Sequence, residues 1–319
     1  MTAARPVASY CIGAVLCFIV AFHAVTITHE LAGHGLAAVL AGQRITDVFI
    51  SWLGGSGLVM WEGEPFAGWP GRMTEWAGIL ATLATGGVAW LVWMKYRHTG
   101  WPAVLLWITA LCMFASGFWY MADGLHRGYG DMRTTAAALA PTGLLAPLVW
   151  AAMLLHGTVL YFLARRVIFI QARWLEIGSP AGHWVVALLI LGGGGGLVGL
   201  ANLAESRIRN DREHAALMKP EAVRLAEADM AREARERLRA GRPPLTAPER
   251  LAGTASRIRG HQPWPLIWAH LPILLLAAVM GTVQGIRFWP DRQLPVRPPV
   301  WLWCAAAGSI GLSGLISLL

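Results

Sequence analysis

The chain has 319 residues, of which 56% are apolar and only 14% charged, where a soluble globular chain carries about a quarter. So apolar a composition cannot cover itself with a water-compatible surface, which excludes an ordinary soluble domain and points to a membrane protein. The formal charge of +8 does not argue for a nucleic-acid partner, because the arginines gather in loops between apolar runs, where Lys and Arg control topology.

Apolar stretches long enough to cross a hydrocarbon core of about 30 Å recur at residues 7–41, 74–94, 101–122, 134–164, 183–203, 265–286 and 300–319. The expected fold is an all-α polytopic membrane protein with about seven transmembrane helices and a small membrane-associated β-hairpin. Trp101, Trp264, Trp268, Trp301 and Trp303 fall at the ends of such runs, as an aromatic belt requires. Arg5 ahead of the first run imitates a signal peptide, but the apolar pattern continues past His29 without a cleavage site, so it reads as the first span. Cys11, Cys17, Cys112 and Cys304 all lie in apolar runs without CxxC spacing and read as small apolar residues.

Two segments interrupt this pattern. Residues 43–72 hold a β-rich run with Ile45, Val48, Phe49 and Ile50, then Gly54-Gly55-Ser56-Gly57, then a second apolar run ending at Trp61. That order predicts a hairpin with a glycine turn. Residues 205–262 are rich in Arg, Glu and Ala, and Pro220 followed by residues 221–239 predicts a solvated extramembrane helix with a thin stripe of Val223, Met230, Ala234 and Leu238. Gly192 to Gly196 inside the fifth run fit either close helix packing or a hinge. The chain thus divides into a membrane core (1–141), further transmembrane helices (142–204), a charged extramembrane segment (205–262) and C-terminal transmembrane helices (263–319).

The chemistry concentrates at His29-Glu30-Leu31-Ala32-Gly33-His34. The segment reads as an HExxH motif, whose histidines, expected at i and i+4, leave one face of a helix and reach a single Zn²⁺. Glu30 between them is the expected base toward a water molecule. Ionisable groups in an apolar helix are costly and mark function. A catalytic zinc site needs a third protein ligand and an open position, and the candidates are Asp123 and Asp131, each beside glycine between the third and fourth spans. His23, His156 and His270 are expected to bond neighbouring helices rather than to act.

The motif, followed by Gly35-Leu36-Ala37-Ala38 and Gly42, resembles the site-2 protease class of intramembrane metallopeptidases, and more closely its smaller bacterial M50-like branch. The resemblance covers residues 15–141. It implies a hairpin after the motif helix, a small-residue helix next (Trp76-Ala77-Gly78-Ile79-Leu80), and an aspartate as third zinc ligand, for which Gly130-Asp131 ahead of Pro141 fits better than Ala122-Asp123-Gly124. It further implies a multi-pass protein of the bacterial inner membrane whose partners are the lipid bilayer and a transmembrane protein substrate. The competing reading is a non-catalytic membrane scaffold or transporter that retains a metal site.

Overall fold

The computed structural model describes residues 4–62, 69–96, 100–175, 180–209, 219–241, 243–261 and 297–316, with Pro272, Leu276, Val279 and Met280. In chain order these form α1 (Ala4–Ile27), a π-helical segment (Thr28–Gly35), α2 (Leu36–Leu40), β1 (Ile45–Ile50), β2 (Gly57–Trp61), α3 (Trp69–Tyr96) and α4 (Trp101–Arg127). A 3₁₀ turn (Gly130–Met132), α5 (Arg133–Leu139), a second 3₁₀ turn (Ala140–Thr142), α6 (Leu145–Leu175) and α7 (Pro180–Arg209) follow. The chain continues through α8 (Glu221–Arg239), α9 (Ala247–His261) and α10 (Val300–Ile316).

Among the described residues, three helical stretches are long and apolar enough to cross a membrane: Val7–Leu40, Gly71–Lys95 and Trp101–Arg127. Two shorter apolar helices, Leu145–Val159 and Val300–Ile316, coincide with parts of expected spans. The expected fourth span is broken, because Pro141 and Gly143, the latter at φ 76°, end one helix before Leu145 starts the next. Most of the expected sixth span, 265–286, lies outside the described residues. The first stretch has 34 residues, about 50 Å of helix at 1.5 Å per residue, so it exceeds the hydrocarbon core.

The chain divides into two compact units, Met1–Tyr120 with Ala152–Asn210 and Ala269–Leu319, and Met121–Ala151 with Asp211–Trp268. The first unit carries α1 at its centre. Tyr10, Cys17, Phe18 and Ala21 of that helix share a core with Trp101, Trp107 and Ile108 of α4, Val186 of α7, and Leu302 and Ala306 of α10. Glycines let large side chains of other helices come close, the device membrane helices use where lipid gives no hydrophobic drive to associate. The Trp101 ring fills the space a side chain on Gly13 would need, and Phe18 lies 2.9 Å from where a Cβ on Gly194 would stand. Close packing is therefore the role of Gly194, inside an α7 that runs unbroken through the glycine run. Polarity is inverted relative to a soluble protein. Leu80, Val88 and Leu91 of α3 and Leu154 of α6 are exposed, while Thr74, Thr82, Glu30, His34 and His156 are buried. Such an inside-out distribution fits a lipid surrounding.

The hairpin forms where the sequence places it. β1 and β2 pair antiparallel, with Val48 opposite Val59 and Ile50 opposite Gly57, and an irregularity between Ile45 and Asp47. Its turn needs the left-handed backbone of Gly54 (φ 74°) and Gly55 (φ 83°). The turn lodges against α1 and α7: the Gly55 amide donates to Thr26 Oγ1 at 2.8 Å, and the Trp52 amide donates to the buried Glu205 carboxylate at 2.9 Å. His23 bonds its own helix and the hairpin turn rather than a neighbouring helix, through Nδ1 to the Ile19 carbonyl at 2.7 Å and Nε2 to the Trp52 carbonyl at 2.9 Å. A Cβ on Gly54 would stand 2.5 Å from the His23 amide nitrogen.

The second unit holds the end of α4, the turns around α5, and the helical hairpin of α8 and α9. Thr246-Ala247-Pro248-Glu249 is a capping box that starts α9: Glu249 accepts from the Thr246 amide at 2.8 Å and from its hydroxyl at 2.7 Å. These bonds hold the Glu249 carboxyl below its ordinary range. Across the hairpin, Arg257 donates to Glu233 at 2.5 Å and His261 meets Asp229 at 3.0 Å, and these bonds hold both carboxyls low. The buried face of α8 is Ala222 and Ala226, while Leu238 of the expected stripe is 79% exposed. Of the larger stripe residues, Met230 packs toward Gly253 of α9.

Candidate metal centre

The motif departs from the expected spacing in one respect. His29 and His34 stand five residues apart, not four. An α-helix turns about 100° per residue, so five residues would leave the second ring about 140° away from the first. The chain corrects this locally. Residues Thr28–Gly35 form a π-helix, in which hydrogen bonds run over five residues instead of four. The Leu36 amide bonds the Leu31 carbonyl accordingly. The wider turn brings the two rings together, with centroids 4.8 Å apart at 79°. Such π segments are rare and recur at functional sites.

Both rings are oriented by α3, which runs alongside. His34 Nδ1 bonds the backbone carbonyl of Thr74 at 2.7 Å. A carbonyl only accepts, so Nδ1 carries the proton. His29 Nδ1 lies 3.3 Å from Thr82 Oγ1, and that hydroxyl gives its own proton to the Gly78 carbonyl at 2.8 Å. The hydroxyl is left as an acceptor, so here too Nδ1 donates. Each ring therefore carries its proton on Nδ1 and a lone pair on Nε2, and the two Nε2 atoms face each other at 3.2 Å. Lone pairs at that distance repel unless a cation lies between them. Two nitrogens at about 2.0–2.1 Å from a tetrahedral zinc stand about 3.3 Å apart. The histidine pair thus fits a metal.

Glycine makes this proximity possible. A Cβ on Gly33 would run into the backbone of Gly78, and a Cβ on Gly78 would run into His34 Nε2 and lie 2.8 Å from His29 Nε2. The π segment and α3 touch backbone to backbone, directly behind the donor atoms. Tyr120 of α4 stands edge-on to His29, ring centroids 5.6 Å apart at 89°. Glu30 and His34 are 9% and 6% exposed, so solvent does not compete at the site. Glu30 faces the hairpin: a Cβ on Gly57 would stand 2.6 Å from Glu30 Cγ. The first residue of β2 must be glycine for that carboxylate to fit.

Of the two candidate third ligands, Asp131 stands half-buried in the 3₁₀ turn Gly130–Met132 of the second unit. The other candidate, Asp123, is otherwise engaged. It is 5% exposed, accepts two bonds from Arg127 Nε at 3.0 Å and a third contact from Arg127 Nη2, and accepts the Tyr129 hydroxyl at 2.8 Å. Burial, with the neighbouring Asp123 charge next, pushes the Tyr129 phenol up, so that it stays a donor. Asp123 acts as a brace beside the turn that carries Asp131.

No family model, no curated protein and no solved structure matches the chain. Function is therefore argued from the site alone.

Reading the sequence for ligands missed the residues that orient them. Thr74, Gly78 and Thr82 recur every fourth residue on one face of α3, and that small, hydroxyl-bearing stripe was the available signal. Groups that orient metal ligands typically contribute 10–100-fold to affinity. Thr82→Val, which keeps the shape of this buried side chain but removes the acceptor, is expected to weaken zinc binding by about that factor. Competition against a chelator measures it, and unchanged affinity would show that the hydroxyl does not set the ring.

Proposed function

We propose that this chain is an intramembrane zinc metallopeptidase of the site-2 protease kind, a multi-pass protein of the bacterial inner membrane that hydrolyses peptide bonds of membrane-embedded helices. The observation that carries the reading is the facing pair of Nε2 atoms, 3.2 Å apart, on a helical stretch long and apolar enough to cross a membrane. His29, His34 and Asp131 are the ligands. Zinc held by them would supply Lewis acidity toward water and toward the carbonyl of the scissile bond.

The residues of the chain do the rest. Glu30, adjacent to His29 and buried beside Gly57, accepts the proton of the attacking water and passes it to the departing amine. Burial keeps bulk water from competing for that proton. A substrate helix has to unwind locally, because its carbonyls are bonded and shielded within the helix. The hairpin beside Glu30 is the element that gives the unwound segment backbone partners.

Metal analysis of detergent-purified protein tests the reading. Wild type is expected to carry one zinc per chain, His34→Ala to lose it, and Asp131→Asn to hold it with measurably lower affinity. Wild type without a divalent metal, or His34→Ala that keeps it, sinks the proposal. Loss in Asp123→Asn with undiminished affinity in Asp131→Asn would move the third ligand to Asp123.

A further inference from the structure

Within the second unit, helix α8 meets the end of α4 at one telling place. Arg224, one turn into the helix, donates from Nη2 to the backbone carbonyl of Gly128 at 2.5 Å. The same nitrogen pairs with Glu221 on the first turn of α8. The Arg224 side chain is 20% exposed, so the bond lies out of most of the solvent that would weaken it. Gly128 is where α4 stops. Its φ is 61° and its amide bonds the Gly124 carbonyl at 2.8 Å, a left-handed helix end that favours glycine. A Cβ on Gly128 would stand 3.1 Å from Glu221 Cβ, so the first turn of α8 sits directly on it.

Three residues further lies Asp131. Between them come Tyr129, whose hydroxyl is tied to Asp123, and Gly130 at φ 55°. Two left-handed glycines flanking one residue make a segment whose backbone is easily redirected. The side-chain bond of Tyr129 fixes one point of it, and the Arg224 bond to the Gly128 carbonyl fixes another. We infer that Arg224 is a positioning residue: from the charged extramembrane segment it clamps the Gly128–Gly130 turn and so sets where Asp131 stands as a metal ligand. The segment's role is then to hold the third ligand in place, and anything that lifts α8 releases that ligand. This rests on the zinc reading above, and the test separates the two.

Zinc affinity is compared by chelator competition in full-length wild type, Arg224→Gln, Arg224→Lys and Arg232→Gln, each also in an Asp131→Asn background. Loss of a charged hydrogen bond that fixes a ligand is expected to weaken zinc binding about tenfold or more in Arg224→Gln. Arg224→Lys, which keeps one donor, is expected in between. Arg232→Gln, on an outward side of the same helix and 68% exposed, is expected to bind as wild type. In the Asp131→Asn background the Arg224→Gln effect is expected to vanish, because the residue acts through that ligand. Wild-type affinity in Arg224→Gln overturns the inference, and so does a loss of equal size without Asp131. Amide hydrogen exchange at residues 128–132 reads the clamp without metal: faster exchange in Arg224→Gln is expected, and unchanged exchange refutes the clamp. Should wild type take up no zinc, the metal reading falls while the exchange result still decides whether Arg224 holds the turn.

Discussion

Glu30→Gln is expected to leave zinc in place and to lower peptide hydrolysis by about 10²–10⁴-fold, the usual contribution of a positioned base. The change is nearly isosteric, and shape matters here. Glu30 Cγ lies against β2 so closely that Gly57 has no room for a side chain, and a smaller residue would leave a void beside the π segment. Glutamine fills the same space but cannot accept the proton of the attacking water. Single-turnover cleavage of a membrane-helix substrate in reconstituted vesicles, beside metal analysis of the same preparation, measures both halves of the expectation. Full activity would remove Glu30 from the chemistry. Loss of metal would make Glu30 a ligand instead of a base.

Gly78→Ala is the second change with a large expected effect. One added methyl in a packed core typically costs about 1–3 kcal/mol through shifted neighbours. Here the neighbours are the donor atoms themselves: the new Cβ would overlap His34 Nε2 and stand 2.8 Å from His29 Nε2. The helix cannot relieve this by sliding, because Gly33 already meets the backbone of Gly78 and Ala77. The rings have to leave the positions in which Thr74 and Thr82 hold them. Zinc affinity is expected to fall at least about 100-fold, beyond the loss of a single orienting bond. Gly87→Ala on the same helix, where a Cβ meets nothing within 4 Å, is expected to bind as wild type and serves as the control. Chelator competition on both proteins, with helix content checked by circular dichroism, decides. A Gly78→Ala protein that binds zinc normally would mean that the two helices part more readily than their contact indicates.

Much of this was open to a reader of the sequence alone. The hairpin could be placed at residues 45–50 and 58–61 because a β-rich run and a glycine turn are local signals, and α8 could be placed because Pro220 and its helix-forming composition are local too. The ligand histidines stood out because charge-bearing groups in an apolar run are conspicuous. The span at 134–164 was misjudged because hydropathy averages over a window and hides the break at Pro141 and Gly143. Thr74 and Thr82 were overlooked because their importance comes from what packs against them, and the small-residue helix around Gly78 was noted without its contact to the histidines. A threonine hydroxyl that accepts from a histidine 53 residues away leaves no mark in its own neighbourhood. Arg224 was hidden for the same reason, since its partner lies 96 residues upstream.

The π segment carries a lesson about motifs written as letters. A conventional pattern fixes how many positions separate two histidines and leaves the shape of the turn unstated, as though every helix wound at one pitch. In this chain the count is one too large for an α-helix, yet the two nitrogens still meet, because the backbone there winds more loosely. What is required for gripping an ion is a distance between atoms, and different spellings satisfy it once the winding changes to suit. Looking for this kind of centre in other proteins means letting pitch and spacing vary together.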